Sequence, residues 1–189
     1  MHADDLFKTL STDAWQELAY PLEAELEWLS AQGVAPEVMA EPWPLRSAGV
    51  VFDDLYGFDF KRDGEPAIIF KAGDRGDELD LIAWEVSTGR LASWHGNTFC
   101  LGDLDQIGSP ATYFMDGALR IHASPLEWLM AQREGIVILR QEFAYAHLRF
   151  SPRIICDDLA QAEKIECWLR APEPTVEILI ADKAERQVA

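Results

Sequence analysis

The chain has 189 residues, 49% hydrophobic and 26% charged, and its 33 acidic side chains against 16 basic ones leave a formal charge of -17. That content excludes a disordered or collagen-like chain, and the negative excess excludes direct docking on a phosphate backbone. Asp4, Asp5 and Asp13 stand where a secretory leader needs a basic start and an apolar stretch, and apolar runs such as 67–70 and 178–181 are too short to cross a bilayer, so a cytoplasmic, non-membrane protein is expected.

From Asp13 to Gln32, Trp15, Leu18, Leu22, Leu26 and Leu29 recur at steps of three and four, which predicts a helix with its glutamates outside. Asp13 and Gln16 have capping-box spacing, Gly33 ends the segment, and Pro21 removes an internal hydrogen bond, so a kink or short break near Tyr20 is expected. Residues 36–44 hold three prolines and no period, which reads as a surface connection.

Between Gly49 and Ile121 the period shortens. Runs at 50–52, 56–60, 67–71, 79–86 and 91–94 predict an antiparallel meander, with turns at Asp63-Gly64 and Thr88-Gly89. The 79–86 run is apolar at both parities, which predicts a strand covered on two faces. Trp84 and Trp94 are expected to be cross-strand neighbours.

Ser124-Pro125-Leu126-Glu127 combines a capping serine, a proline at the first helical position and a glutamate placed to complete the cap, so a helix starts there and runs toward Gly135. A strand at 136–139, a helix at 142–148, a helix opened by Asp157 or Asp158 and stopped by Pro172, and a last strand at 176–181 complete the pattern. Trp-Leu-x-Ala recurs at Trp28, Trp128 and Trp168 without a fixed period, which reads as core anchoring at helix ends. The fold class is α+β: an N-terminal helical segment and connection (1–45), a central, mostly antiparallel β-rich part (46–122) and a helix-strand alternation (123–189) packed on it, in a single domain.

Chemistry is sparsely signalled. His2, His95, His122 and His147 have no metal-ligand spacing, and there is no nucleophile elbow, phosphate loop or dinucleotide fingerprint, so neither a metal nor a cofactor is expected. Asp74, Asp77, Glu78 and Asp80 crowd a turn but depart from the calcium-loop order. Cys100, Cys156 and Cys167 form no thiol motif, and the apolar neighbours of Cys100 would raise its pKa. Net charge divides as -12 over residues 1–94 and -5 over residues 95–189.

Three functional readings stand. The first is a non-catalytic acidic accessory or interaction protein with a protein partner, a basic one suiting its charge, and a DNA-mimic variant requires phosphate-like rows of carboxylates. The second is a small hydrolase with His95 as acid or base and Asp103 or Asp105 orienting it. The third is a ligand sensor that binds through Trp84 and Trp94.

The stretches Asp80-Leu81-Ile82-Ala83-Trp84, Gly89-Arg90-Leu91-Ala92, Ser124 to Leu129 and Gly135 to Ile138, with the Asp157-Asp158 helix start and Ala171-Pro172, resemble a family of uncharacterised alphaproteobacterial proteins often encoded in prophage-like or mobile-element neighbourhoods. The likeness covers residues 75–181. It implies an accessory role in a mobile element and a cytoplasmic location, and it assigns no catalytic residue.

Overall fold

The computed structural model describes residues 13–53, 57–72, 80–96 and 98–170. The strand expected at 176–181 and the acidic side chains of Asp74, Asp77 and Glu78 lie outside them. The architecture is α+β.

The first helical segment is broken rather than kinked. Helix α1 occupies 13–17 and α2 occupies Glu23–Ala31. In the gap, the Ser47 amide donates to the Ala19 carbonyl at 2.9 Å, tying the broken segment to the first strand. Pro21, which offers no N–H, sits beside that splice. The Glu25 carboxylate accepts from the Leu22 amide at 2.6 Å and closes the start of α2, and Gly33 ends it with φ +98°. The connection expected at 36–44 instead contains a short helix, α3 (Pro36–Ala40), with Val38 buried. Pro36 supplies the fixed φ of a first helical turn, a role that a reading of prolines as punctuation misses.

Five strands form the first sheet: β1 (Arg46–Phe52), β2 (Phe58–Phe60), β3 (Glu65–Ala72), β4 (Asp80–Glu85) and β5 (Arg90–Ser93). All pair antiparallel, in the order β2-β1-β3-β4-β5. The expected meander therefore needs one correction, because β2 and β3 flank β1 instead of forming a hairpin at Asp63-Gly64. Both strands reach Val50, one from each side, so residues 61–64 must cross the face of β1. Glycine permits the crossing: a Cβ on Gly49 would collide with the Lys61 carbonyl, and one on Gly64 with the backbone of Val50. The β4–β5 hairpin turns as expected, with Gly89 at φ +74° and the Glu85 carboxylate accepting from the hydroxyls of Ser87 (2.9 Å) and Thr88 (2.8 Å).

The sheet curls until its edges meet. Phe60 and Trp94 lie 5.1 Å apart between ring centroids, and Arg90 Nη2 donates to the Asp53 carbonyl at 2.6 Å. The concave side encloses Val50, Phe58, Ala67, Ile69, Leu81, Ala83 and Ala92, with Trp15 of α1 among them. On the other side Ile68, Phe70, Ile82 and Trp84 pack against Leu29, Val38, Leu101, Trp128, Leu129 and Val137. Every residue of β4 is buried, as its two apolar faces predict.

A second sheet is built from β6 (Cys100–Gly102), β7 (Leu119–His122), β8 (Ile136–Ile138) and β9 (Ile154–Cys156), in the order β6-β8-β7-β9. Here β7 runs parallel to both β8 and β9, while β6 is antiparallel to β8. The sheet draws two strands from the central part of the chain and two from the last part, so these parts interleave. Its far face, with Cys100, Leu119, Ile121 and Ile136, packs on Leu148 and Ile165 of α5 (Ala144–Leu148) and α6 (Leu159–Trp168).

The caps predicted at Ser124 and at the Asp157-Asp158 pair form, the second through Asp158, although the Glu127 carboxylate takes the Ser124 hydroxyl rather than the cap amide. The Ser124 hydroxyl accepts from the Glu127 amide (3.4 Å) and donates to the Glu127 carboxylate (2.9 Å) at the start of α4 (Pro125–Met130), and the Asp158 carboxylate accepts from the Gln161 amide (2.7 Å) at α6. Of the repeated Trp-Leu-x-Ala segments, Leu29 and Leu129 are wholly buried in one shared cluster, so leucine is the common anchor while Trp28 stays 39% exposed. Among the described residues no helix is long and apolar enough to cross a membrane.

Candidate functional site

His95 lies in the turn that follows β5. Its amide donates to Asp80 Oδ1 (2.9 Å), which also accepts from the Leu81 amide (2.8 Å), and its ring stacks on Trp94 at 4.5 Å. The wholly buried Asp80 carboxylate thus fastens the start of β4 to the end of β5, and His95 is part of that clasp. Asp103 caps the 3₁₀ turn Leu104–Ile107 by accepting from the Asp105 amide at 2.9 Å. Asp103 and Asp105 border an open groove of about 840 Å³, and the imidazole lining it is that of His147, not His95. His147 stacks on Phe99 at 4.3 Å, and burial holds its pKa below the ordinary 6.5. Sequence reading passed over His147 because its helix carries no spacing signal linking it to Asp103.

Trp84 and Trp94 do not face one another. The β4–β5 register pairs Trp84 with Leu91, and the Trp94 amide donates to the Leu81 carbonyl. Trp84 therefore joins the cluster with Trp28 and Phe70, while Trp94 closes the concave side with Phe60. The cross-strand pair expected from the sequence is split across the sheet, because this register sets even-numbered residues of β4 opposite odd-numbered residues of β5.

Other titratable groups serve the fold. The Cys100 thiol is pushed up to about 12 by burial first and the nearby Asp103 carboxylate second, which removes it as a nucleophile. His122 lies between the Glu134 carbonyl (3.0 Å from Nε2) and Asp157 Oδ1 (3.2 Å from Nδ1), and Asp157 Oδ2 accepts from the Ala123 amide. This triad joins β7 to the start of α6. Among the described residues no group of three or more His, Cys, Asp or Glu side chains is arranged to hold a metal ion.

The most distinctive surface is the segment before β1. Residues 13–45 carry Asp13, Glu17, Glu23, Glu25, Glu27, Glu37 and Glu41 and no lysine or arginine. All seven except Glu25 are exposed. Among them stand Tyr20, 64% exposed, Leu22, 70% exposed, and Trp28. Cations from the sheet hold this segment: Arg46 of β1 lies over Tyr20 (3.9 Å) and Trp15 (4.6 Å), and Lys71 of β3 lies over Trp15 (4.4 Å) and Trp43 (3.9 Å). Tyr20, Arg46, Trp15, Lys71 and Trp43 form an alternating aromatic and cationic ladder, in which each contact contributes about 0.5–2 kcal/mol. The anchored segment thereby carries exposed carboxylates together with exposed apolar side chains.

No family model, curated protein or solved structure matches the chain, so its function is argued from its own geometry.

Proposed function

We propose that the protein is a non-catalytic interaction protein whose acidic segment, residues 13–41, docks on a cationic partner protein. One observation carries the reading: six exposed carboxylates on a segment that has no lysine or arginine of its own, displayed along with Tyr20, Leu22 and Trp28. Such a face attracts a basic surface over long range, and the apolar side chains add short-range contact area. The resemblance to mobile-element proteins is in keeping with an accessory role in the cytoplasm. Nucleic acid is repelled by the same charge.

The test is titration of the full chain with lysine-rich and arginine-rich peptides, with an uncharged peptide as control, followed by fluorescence anisotropy at low and moderate salt. Salt-sensitive binding to the basic peptides is expected, weakened about tenfold in a Glu23→Gln, Glu27→Gln, Glu37→Gln triple variant. Equal binding by the triple variant and the parent would overturn the proposal.

One observation favours a hydrolytic reading, namely the shared groove of Asp103, Asp105 and His147. It transfers the acid-base role from His95 to His147. Ester hydrolysis that His147→Ala abolishes and His95→Ala leaves intact would carry it.

A further inference from the structure

The parallel strands of the second sheet follow one another as β7, β8 and β9, with α4 and then α5 between them, yet they lie in the order β8-β7-β9. The chain thus sets its second parallel strand on one side of the first and its third on the other. The helices divide in the same way: Trp128 and Leu129 of α4 pack on the face turned toward the first sheet, whereas Leu148 of α5 and Ile165 of α6 pack on the far face. The connections that leave the carboxyl ends of β7 and β9 therefore diverge to opposite faces, and a crevice opens between them, which is where sheets wound in this way hold their ligands. At that position lies a recess of about 160 Å³. His122 and Ile138, at the ends of β7 and β8, line one side of it, and Asp158, Gln161, Lys164 and Trp168, spaced along one face of α6 and its cap, line the other.

We propose that this recess binds a free α-amino acid with a small apolar side chain, its carboxylate held by Lys164 and Gln161 and its ammonium group by Asp158. Among the described residues Lys164 has no hydrogen-bond or ion-pair partner. Gln161 is fixed from one end, because its Oε1 accepts from the Asp157 amide at 2.7 Å, which leaves both N–H groups of Nε2 to donate. Asp158 Oδ1 accepts from the Gln161 amide at 2.7 Å, and the second carboxylate oxygen remains to accept. His122 is committed at both ring nitrogens, to the Glu134 carbonyl and to Asp157, so it shapes the wall. The lysine and the aspartate stand exposed at the rim while Gln161 is buried, which suits charged ends outside and an apolar side chain directed inward against Trp168 and Ile138. One ammonium and one carboxylate line the recess, a balance that complements a zwitterion and sets one unfavourable contact against a ligand of either single charge. A zwitterion also escapes the repulsion that a chain of formal charge -17 exerts on anions. Size agrees, since a cavity of about 150 Å³ lodges benzene, which leaves room for a small side chain and none for a nucleotide.

The experiment titrates the full chain with L-valine, with isobutylamine, which lacks the carboxylate, and with isovalerate, which lacks the ammonium group, following the Trp168 indole N–H and Gln161 side-chain amide resonances by NMR. Valine is expected to saturate, with each one-ended analogue weaker by about tenfold or more. Lys164→Met, at an exposed position, is expected to weaken valine about tenfold and leave isobutylamine unchanged. Asp158→Asn keeps a side-chain oxygen for the helix cap, and is expected to weaken valine by a similar factor and leave isovalerate unchanged. The exposed Glu163→Gln leaves all three unchanged. Isobutylamine or isovalerate binding as tightly as valine, parental valine affinity in Lys164→Met or Asp158→Asn, or no saturable valine binding would overturn the proposal, and none of these results bears on the acidic face.

Discussion

The three cysteines show how one residue type acquires different chemistry from its surroundings. Cys167 is exposed on α6. Cys156, half-buried at the end of β9, has its pKa raised by burial and then by Asp157 and Asp158. Cys100 sits in the second sheet with its thiol near 12. Alkylation follows the thiolate, so iodoacetamide at mildly alkaline pH is expected to modify Cys167 first, Cys156 more slowly and Cys100 only after denaturant is added, as read by mass spectrometry of timed digests. Rapid labelling of Cys100 in the native protein would contradict the packing described. His147 gives a signed pH effect. Its folded pKa is below 6.5, so the unfolded chain binds more protons in the window just under that value. Its contribution is therefore whole above pH 6.5 and declines as pH falls toward the lowered folded value. His147→Gln is expected to flatten urea midpoints measured across that window.

At the scale of elements, the crossing of residues 61–64 over β1 makes the sharpest demand on sequence. Gly49→Ala places a methyl group against the Lys61 carbonyl, backbone against backbone, where no side chain can swing aside. A loss of about 1–3 kcal/mol is expected, measured by urea denaturation, and Gly108→Ala, whose Cβ meets nothing within 4 Å, serves as the neutral comparison. The helices were easier to foresee than this crossing. Ser124-Pro125 and the Asp157-Asp158 pair announce α4 and α6 because caps are local hydrogen bonds between residues three apart, and the structure picks Asp158 of the pair. Strands β6, β7 and β9 are only three or four residues long, too short for a period to register, and form because neighbouring strands supply their partners.

For the whole molecule, the layering explains how a chain of formal charge -17 remains folded. The curled sheet, the shared cluster and the second sheet stack apolar surface on apolar surface, and residues 13–45, which carry no lysine or arginine, are anchored by Arg46 and Lys71. Repulsion among the exposed carboxylates remains, and added salt screens it. The thermal midpoint is expected to rise by several degrees between about 20 and 300 mM sodium chloride. A midpoint that falls would mean that attractive pairs outweigh the like-charge term.

By itself the sequence determined the α+β class, the caps of α4 and α6, the twice-buried β4 and the concentration of negative charge in the first half, because each follows from period, short-range hydrogen bonding or composition. Only the tertiary structure decided that β2 crosses to the far side of β1, that Trp84 and Trp94 part to opposite faces, that His147 rather than His95 lines one groove with Asp103 and Asp105, and that Lys71 and Arg133 converge on Trp43 and Trp128. These depend on strand register and on contacts between residues dozens of positions apart, where a shift of one residue exchanges the faces of a strand and leaves the local pattern unchanged.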